Sequence, residues 1–407
     1  MRYLLPFLLG VSLAFNFSGL KIAGMQFSAG LLLTFIYMLF QINHISLFGA
    51  VVKKFGYFVL TPFFVFSLLL LNNFMHAGRA DNTILVFLFI IGYFLFLSIL
   101  VNSYKDESCV DAILTGLSIG ATIISLCYIK GIGVVEELEG RFSVFGMNSN
   151  VAGTTESLTF IYTLNKYILN FKDKRWLLKL FFLVCLVLQV VFIISTGSRA
   201  AFLALSLGLI GSILFLNISA KAKGLFILLS LVLMIFLFRY LVMTDTYVIA
   251  RLVLTIDEGD ISGRDNIWED FVPYIVSAPL FGVGETGFNA ISAKVYGFYW
   301  HPHNEIIFLL LTTGVVGTTM MLVFWIKTFI LSYMNLKKRR EPAAFLLIIP
   351  ILLAILSQQL LYEKFGWCIY AYMIVSAHHD SLVYKRNRKV VQKNRIDENS
   401  SLLCINN

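Results

Sequence analysis

The amino-acid sequence predicts an all-α polytopic membrane protein with about 12 transmembrane helices. Three observations predict this class. Of the 407 residues, 58% are hydrophobic and only 14% are charged, and the mean hydropathy is +0.83. Such a chain lacks the polar surface that a soluble domain needs. Apolar stretches of about 20 residues, the length with which a helix crosses a bilayer, recur between residues 4 and 373 with short polar breaks.

The predicted spans form two groups, one on each side of a long polar insertion. Residues 1–243 contain the first nine spans, and residues 303–380 contain the last three. No clear small-residue cleavage site follows the first apolar run, so we expect it to remain as a span. The segment from His44 to Val52 is too short to cross, which predicts a turn at the membrane interface. In chain order, the expected spans are 4–20, 22–42, 55–71, 83–101, 110–129, 151–170, 176–195, 200–217, 224–243, 305–326, 343–360 and 365–379.

The basic residues that give the net charge of +9 are distributed along the chain in a pattern that indicates membrane topology. Basic residues cluster at alternate breaks between spans, and the positive-inside rule places those breaks and both termini in the cytoplasm. The other breaks, including the long insertion, then face the periplasm. The absence of one large basic patch argues against a nucleic-acid partner. The basic groups are Lys53 and Lys54; Lys105; Lys172, Lys174 and Arg175; Lys221 and Lys223; Lys337, Lys338, Arg339 and Arg340; and Lys385, Arg386, Arg388 and Lys389 in the predicted cytoplasmic tail 381–407.

Residues 244–302 form the long polar insertion, which is acidic in a basic protein. It holds eight acidic residues against three basic ones, so we expect a folded periplasmic loop. Apolar side chains at helical spacing predict an amphipathic helix on the membrane surface, bounded or bent by prolines. Residues 282–287 fit the pattern G-x-G-x-x-G, but no strand-helix-strand unit surrounds them, so we interpret them as a glycine-rich turn. The apolar residues are Trp268, Phe271, Tyr274 and Ile275, and the prolines are Pro273 and Pro279.

Three arginines lie on the predicted periplasmic side, against the usual bias: Arg141, Arg199 and Arg264. Each has Gly or Ser close by, which lets a ligand approach the backbone. A guanidinium binds phosphate through two parallel hydrogen bonds, so the set suits a lipid-linked diphosphate. The alternative for any one of them is an interfacial arginine that reaches lipid phosphate. Arg199 is the strongest candidate because its turn is too short to leave the membrane surface, and the intramembrane Glu156 is a candidate partner for an arginine.

The sequence His-Pro-His-Asn-Glu at residues 301–305 stands directly before an apolar span. A neutral imidazole of His303 could take a proton from a sugar hydroxyl, which is typically worth about 10²- to 10⁴-fold in rate. Gly314 and Gly317 follow in the span and permit close packing against a neighbouring helix. The alternative is that His301 and His303 are interfacial residues that cap the helix.

Three parts of the chain together resemble the bacterial O-antigen ligase and O-antigen polymerase superfamily. Residues 303–317 match the ligase pattern of His-Asn, nine residues, Gly, two residues and Gly. Residues 199–203 match the pattern Arg-x-x-x-Leu at the start of a span, and residues 262–284 resemble the large external loop of ligases and polymerases.

The resemblance implies a GT-C-like fold and a glycosyltransferase that uses neither metal nor cofactor at the periplasmic face of the inner membrane. The implied donor is a glycan on undecaprenyl diphosphate. The implied acceptor is lipid A-core for a ligase or a second lipid-linked glycan for a polymerase, with membrane lipid as the remaining partner. The resemblance implies catalytic roles for His303, Arg199 and Arg264, substrate contacts from Arg141, Asn304, His301 and Trp268, and structural roles for Gly314 and Gly317.

Two other classes of function remain open. A flippase for the same lipid-linked glycan would also have about 12 spans, but transporters usually show internal repeats and ionisable residues near the bilayer midplane. A non-catalytic assembly scaffold would not need the histidine and the arginines. Because the ionisable residues gather at the predicted periplasmic side, the sequence favours an enzyme, and the complete His-Asn-to-Gly spacing favours a ligase over a polymerase.

Overall fold

The computed structural model is a bundle of helices. It describes residues 2–15, 20–22, 25–75, 83–104, 106–136, 142–170, 175–216, 218–221, 223–228, 232, 239, 264–339 and 341–378. The only strands in these ranges form two short antiparallel hairpins. The chain is an all-α membrane protein.

The N-terminal half contains eight of the described helices and both hairpins. In chain order these are α1 (Leu4–Ala14), β1 (Leu20–Ile22), β2 (Met25–Phe27), α2 (Ala29–Gln41), a 3₁₀ helix (Ile42–Leu47), α3 (Phe48–Met75), α4 (Thr83–Ser103), α5 (Ser108–Ile129), β3 (Val134–Glu136), β4 (Phe142–Val144), α6 (Ser149–Thr163) with a π turn (Leu164–Ile168), α7 (Trp176–Ser195) and α8 (Arg199–Leu214).

The C-terminal half continues with two helices in the long insertion and four helices after it. These are α9 (Arg264–Ser277), α10 (Gly284–Tyr296), α11 (Glu305–Arg339), α12 (Ala343–Leu346), α13 (Ile348–Ser357) and α14 (364–378).

Four of the described helices are long and apolar enough to cross a membrane: Phe48–Met75, Ser108–Ile129, Trp176–Ser195 and Glu305–Lys338. The prediction of about 12 spans therefore stays a prediction for the others. Most of the predicted span 224–243 lies outside the described residues.

The structure corrects several predicted boundaries near the N-terminus. The first helix ends at Ala14 instead of residue 20, and the β1–β2 hairpin occupies the predicted start of the second span. Asn16, Ser18 and Gly19 follow this helix, and such residues favour turns over helix. The predicted interfacial turn is a 3₁₀ helix that runs into α3, and α3 is kinked at Phe55, where the third span was expected to begin.

Small residues set how closely α1 and α5 approach. A Cβ atom added to Gly10 would overlap the Ile113 carbonyl oxygen, and one added to Gly116 would overlap the Phe7 carbonyl oxygen. The two backbones therefore touch, as in membrane helix pairs that associate through glycine.

Helix α6 lies at the centre of the bundle. Every residue from Ala152 to Asn165 is buried, and α5, α7 and α8 all pack against this helix. Ser157 Oγ donates to the Ala201 carbonyl oxygen at 2.9 Å. Helix α14 is also buried along most of its length.

Candidate functional site

Asn304 begins α11 by capping its first turn. Its Oδ1 atom accepts hydrogen bonds from the backbone N–H groups of Ile306 at 2.9 Å and Ile307 at 3.2 Å. This satisfies two of the amide groups that a helix N-terminus leaves without intrahelical partners. The capping role considered for the histidines is therefore filled by Asn304, and its side-chain oxygen is committed to the backbone.

His301 has a defined tautomer. Its Nδ1 atom accepts a hydrogen bond from the backbone N–H of His303 at 2.9 Å. Burial, and secondarily the neighbouring His303, lower the pKa of His301 well below its ordinary value. His301 is therefore neutral at physiological pH, and its single ring proton is on Nε2.

His303 is held in an unusual backbone conformation. Its φ is +50°, in the left-handed region that residues other than glycine seldom adopt. Its ring lies 5.6 Å from that of His301, and its side chain is partly exposed. Such a conformation persists only when the surroundings enforce it, and it is common at ligand-binding sites.

Helix α9 holds residues 301–304, the histidine segment, in place. Trp268 Nε1 donates to the Pro302 carbonyl oxygen at 2.8 Å. Phe271 is completely buried, and its ring lies 5.5 Å from that of Phe288 on α10. The sequence prediction of a helix here is confirmed. Its predicted apolar face, however, packs on protein, because Phe271 contacts α10 and Trp268 contacts the histidine segment. Trp268 positions the backbone beside His303 through this contact.

The two prolines that were expected to bound or bend this helix, Pro273 and Pro279, lie at different positions relative to it. Pro273 lies inside α9, and Pro279 follows the end of that helix. The glycine-rich stretch is a turn only as far as Val283, because α10 begins at Gly284.

Helix α11 is interrupted at Gly314, where φ is +62° and ψ is −167°. In an unbroken helix, Val315 N would donate to Leu311 O. Instead Val315 N donates to Pro279 O at 2.8 Å, and Leu311 O accepts from Val283 N at 2.8 Å. The loop between α9 and α10 therefore replaces the missing helical hydrogen bonds.

The close approach of the loop between α9 and α10 explains why glycine occupies position 314. A Cβ atom there would overlap the backbone of Leu280 and Phe281. Gly317 lies against the Thr313 side chain of its own helix. Gly314 admits a loop, because the broken helix exposes backbone groups that need partners. The expected packing of Gly317 against a neighbouring helix stays a prediction.

Two consecutive asparagines at the end of α3 complete this junction. Asn72 Nδ2 donates to the carbonyl oxygens of Phe281 and, at 3.1 Å, of Thr312. Asn73 Oδ1 accepts from the first backbone amides of α10, at 2.5 Å from Glu285 N and 3.0 Å from Thr286 N. Helix α3 thus ties the loop to both α10 and α11.

Two buried acidic residues, Glu305 and Glu285, lie near the histidine segment. Glu305 is completely buried, and its Oε2 accepts from the backbone amides of Leu360 at 2.6 Å and Leu361 at 3.3 Å. Glu285 on α10 is also completely buried. Burial raises the pKa of the Tyr299 phenol, a hydrogen bond with Gln359 opposes this, and the carboxyls of Glu285 and Glu305 add to the rise.

Arg199 is the first residue of α8. Ser198 caps this helix through a hydrogen bond to Ala201 N at 3.4 Å, and Gly197 makes the preceding turn with φ of +66°. A Cβ atom on Gly153 of α6 would meet this turn, so the turn packs directly on the central helix. Arg199 is partly buried and has polar or charged interactions.

The helix directions place Arg199 and the histidine segment at the same end of the bundle. Glu305 at the start of α11 binds backbone just beyond the end of α13, so these two helix termini are adjacent. Near the end of α8, Gly211 lies against Leu346 and Ile349, at the end of α12 and the start of α13. Helices α8 and α13 are therefore antiparallel, and α8 begins where α13 ends.

The other predicted residues are not all placed. Arg141 lies outside the described residues, and Arg264 is described only as the first backbone position of α9. Glu156 does not pair with an arginine among the described residues. Its Oε1 accepts from Ser125 Oγ at 2.9 Å, because α5 brings a hydroxyl to it inside the bundle.

Sequence reasoning missed the residues that act over long separations. Asn72 contacts residues more than 200 positions away, with separations of 209 and 240. An uncharged Asn-Asn pair at the end of an apolar run was the one local signal for it. Glu305 was visible in the motif, but its role in holding residues 360 and 361 was not.

Comparison with known families adds one finding. The family model for O-antigen ligase matches residues 184–322. This stretch runs from α7 into α11 and includes Arg199, Arg264, and residues 301–317. The resemblance noted from the sequence motifs is thereby confirmed, whereas Arg141 falls outside the match. Among curated proteins, none matches the chain.

Proposed function

We propose that this chain, whose residues 184–322 match the family model for O-antigen ligase, moves a glycan from undecaprenyl diphosphate to a sugar hydroxyl at the periplasmic face of the inner membrane. The observation that carries the proposal is the position of His303. It lies at the start of α11, at the end of the bundle where α8 begins with Arg199. Its backbone is strained, and hydrogen bonds from His303 N to His301 and from Trp268 to Pro302 hold the segment. Both residues fall within the family match.

The reaction requires one bond to form and one to break. The acceptor hydroxyl oxygen attacks the anomeric carbon of the donor glycan, and the bond from that carbon to the diphosphate oxygen breaks. The electron pair leaves with the diphosphate, and the hydroxyl proton passes to His303. Diphosphate is a competent leaving group, so positioned cations and one base suffice.

The cations in this scheme are arginines. Arg199 and Arg264 bind the diphosphate in bidentate fashion and stabilise the charge that develops as it leaves, and Arg141 contributes to binding. Asn304 and Trp268 act indirectly, because the first caps α11 and the second holds Pro302. Both hold the imidazole of His303 in place, which matters because misplacement of about 1 Å can cost on the order of 10²-fold in rate.

The acceptor distinguishes two branches of the superfamily. We propose lipid A-core as acceptor, which makes the chain a ligase, because residues 303–317 carry the complete ligase spacing. Transfer to a second lipid-linked glycan would make it a polymerase. Both branches share the leaving group and the base.

The experiment is a lipopolysaccharide gel of a deletion strain. Loss of long chains from lipid A-core, with polymer retained on the lipid carrier, is the expected result for a ligase. Core carrying a single repeat unit would indicate a polymerase instead.

Complementation of that strain tests the residues. His303→Ala and Arg199→Ala should abolish transfer at normal protein levels in the membrane, whereas the exposed controls His44→Ala and Arg175→Ala should restore it. Full activity of both site variants would refute the enzyme and leave a scaffold. The purified wild-type protein is also placed in vesicles with donor and acceptor on the same side. Glycan transfer in these vesicles excludes a flippase.

A further inference from the structure

We infer that Asn289, His301, Glu305, Gln358 and Tyr362 form a binding site for a sugar ring of the acceptor, next to His303. We call these five residues the polar cluster. The inference rests on the proposed function, which assigns the base and the diphosphate site but no residues that recognise the acceptor.

Several contacts bring the polar cluster together. The ring of Phe308 lies 5.2 Å from that of His301 and 5.7 Å from that of Tyr362. Glu305 binds the backbone of Leu360 and Leu361, which holds the segment 358–362 beside α11. Three parts of the chain thus meet at one place.

Helix α10 contributes the fourth part. Asn289 follows Glu285 by four residues, so both lie on one face of this helix. The Phe288 ring lies 5.3 Å from that of Phe308 on α11, which places α10 against the cluster. Phe288, beside Asn289, also contacts His301, with ring centroids 6.3 Å apart.

The polar cluster contains buried polar atoms that no other described residue satisfies. Glu305, Gln358 and Tyr362 are 0%, 4% and 5% exposed. Buried polar groups in proteins are almost always hydrogen-bonded, and leaving one without a partner is costly. The atoms without a partner among the described residues are Asn289 Oδ1 and Nδ2, His301 Nε2, Glu305 Oε1, Gln358 Oε1 and Nε2, and the Tyr362 hydroxyl.

The chemistry of these atoms selects hydroxyl groups over phosphate. The two amides offer acceptors as well as donors, the Tyr362 hydroxyl can do both, and His301 offers a donor because its other ring nitrogen accepts from His303 N. Phosphate oxygens only accept, so a phosphate would leave the acceptor oxygens of the two amides without a partner. A sugar hydroxyl both donates and accepts, so a neutral sugar ring matches the cluster.

Aromatic side chains adjoin the polar cluster on its exposed side. Phe298, Tyr299 and Trp300 directly precede His301 and are 54%, 39% and 39% exposed. Ser292 holds this turn, since its Oγ accepts from Trp300 N at 2.6 Å. Aromatic rings beside a few convergent polar groups are typical of small-ligand sites.

The test separates acceptor binding from a structural role. Tyr362→Phe and Gln358→Met each remove polar atoms while keeping most of the side-chain volume. Full-length protein in proteoliposomes is given lipid-linked glycan extracted from the deletion strain, and an extract of the acceptor lipid is titrated. We expect the acceptor concentration for half-saturation to rise about 10-fold for each variant, corresponding to one lost hydrogen bond.

Stability provides the second measurement. Because the deleted atoms have no partner among the described residues, both variants should unfold in detergent at the wild-type temperature or above it. The control Tyr37→Phe removes a buried hydroxyl that accepts from Asn102 Nδ2 at 2.8 Å, so it should lower the unfolding temperature and leave the acceptor titration unchanged.

The possible results separate the two proposals. Three results in the cluster variants would overturn the sugar site. These are an unchanged acceptor titration, a shift in the donor titration instead, and a fall in unfolding temperature that accounts for the lost transfer. If His303→Ala is inactive while the cluster variants match wild type, only this inference fails. If the wild type transfers nothing, the proposed function fails with it.

Discussion

Two regions of this bundle are held together in different ways. Helices α1 and α5 meet through glycines, and their backbones touch at Gly10 and Gly116. Helices α9 and α10 meet through the rings of Phe271 and Phe288, but their junction with α11 also uses polar contacts. There, side chains such as Asn72 and Trp268 satisfy backbone groups. The first arrangement suits apolar surroundings, where close packing drives association. The second allows a helix to break and still satisfy its backbone, which a site for a polar substrate requires.

The largest effect should come from added volume in the α1–α5 contact. Gly116→Val should destabilise the protein by about 3 kcal/mol or more, because its side chain would meet the Phe7 carbonyl. Thermal unfolding in detergent measures the change. The control Gly49→Ala adds a methyl group where nothing lies within 4 Å, so it should leave stability unchanged or raise it by up to about 1 kcal/mol. Equal behaviour of the two variants would contradict the contact.

The junction around Gly314 should instead respond to the loss of polar atoms. Asn72→Leu preserves volume but removes the donor to the Phe281 and Thr312 carbonyls, and we expect a loss of about 2 kcal/mol. Amide exchange should rise at Val283 and Val315, whose bonds join the loop to α11. Exposed Asn43→Leu is the matched control. Unaltered exchange in Asn72→Leu would show that the asparagine does not hold the junction.

Acid should weaken the histidine segment. Burial lowers the pKa of His301 in the folded protein below the ordinary 6.5, so the unfolded chain binds the proton more readily. The stability due to neutral His301 is therefore present above about pH 6.5 and is lost as pH falls below it. Denaturant unfolding from about pH 7 to about pH 5 should show a steeper fall for wild type than for His301→Gln. Parallel curves would mean that His301 titrates normally.

The smallest effect is expected for Trp268→Phe. It removes the hydrogen bond to the Pro302 carbonyl and should cost about 1 kcal/mol of stability. Since this contact positions the backbone beside His303, transfer should slow several-fold with little change in half-saturating substrate. Trp176→Phe, at an indole that is 67% exposed, is the control and should change neither. A large change in half-saturation would instead support direct substrate contact by Trp268.

The sequence predicted the class of fold and the position of the motif for different reasons. Hydropathy predicts the helices, since every membrane span must satisfy its backbone hydrogen-bonding groups within the protein. The spacing from His303 to Gly317 located the start of α11, but not the break at Gly314, because the loop that fills it comes from residues 279–283. The sequence did not reveal which partners Asn72 and Tyr362 have, because their roles depend on residues far away in the chain.

Glycan transfer by His303→Ala tests the central claim most directly. Purified full-length protein is placed in proteoliposomes with lipid-linked donor and acceptor lipid, and transfer is compared with wild type and with His44→Ala at equal amounts of folded protein. The account predicts that His303→Ala loses at least about 10²-fold in rate and that His44→Ala loses nothing. Wild-type rates in His303→Ala would contradict the assignment of the base.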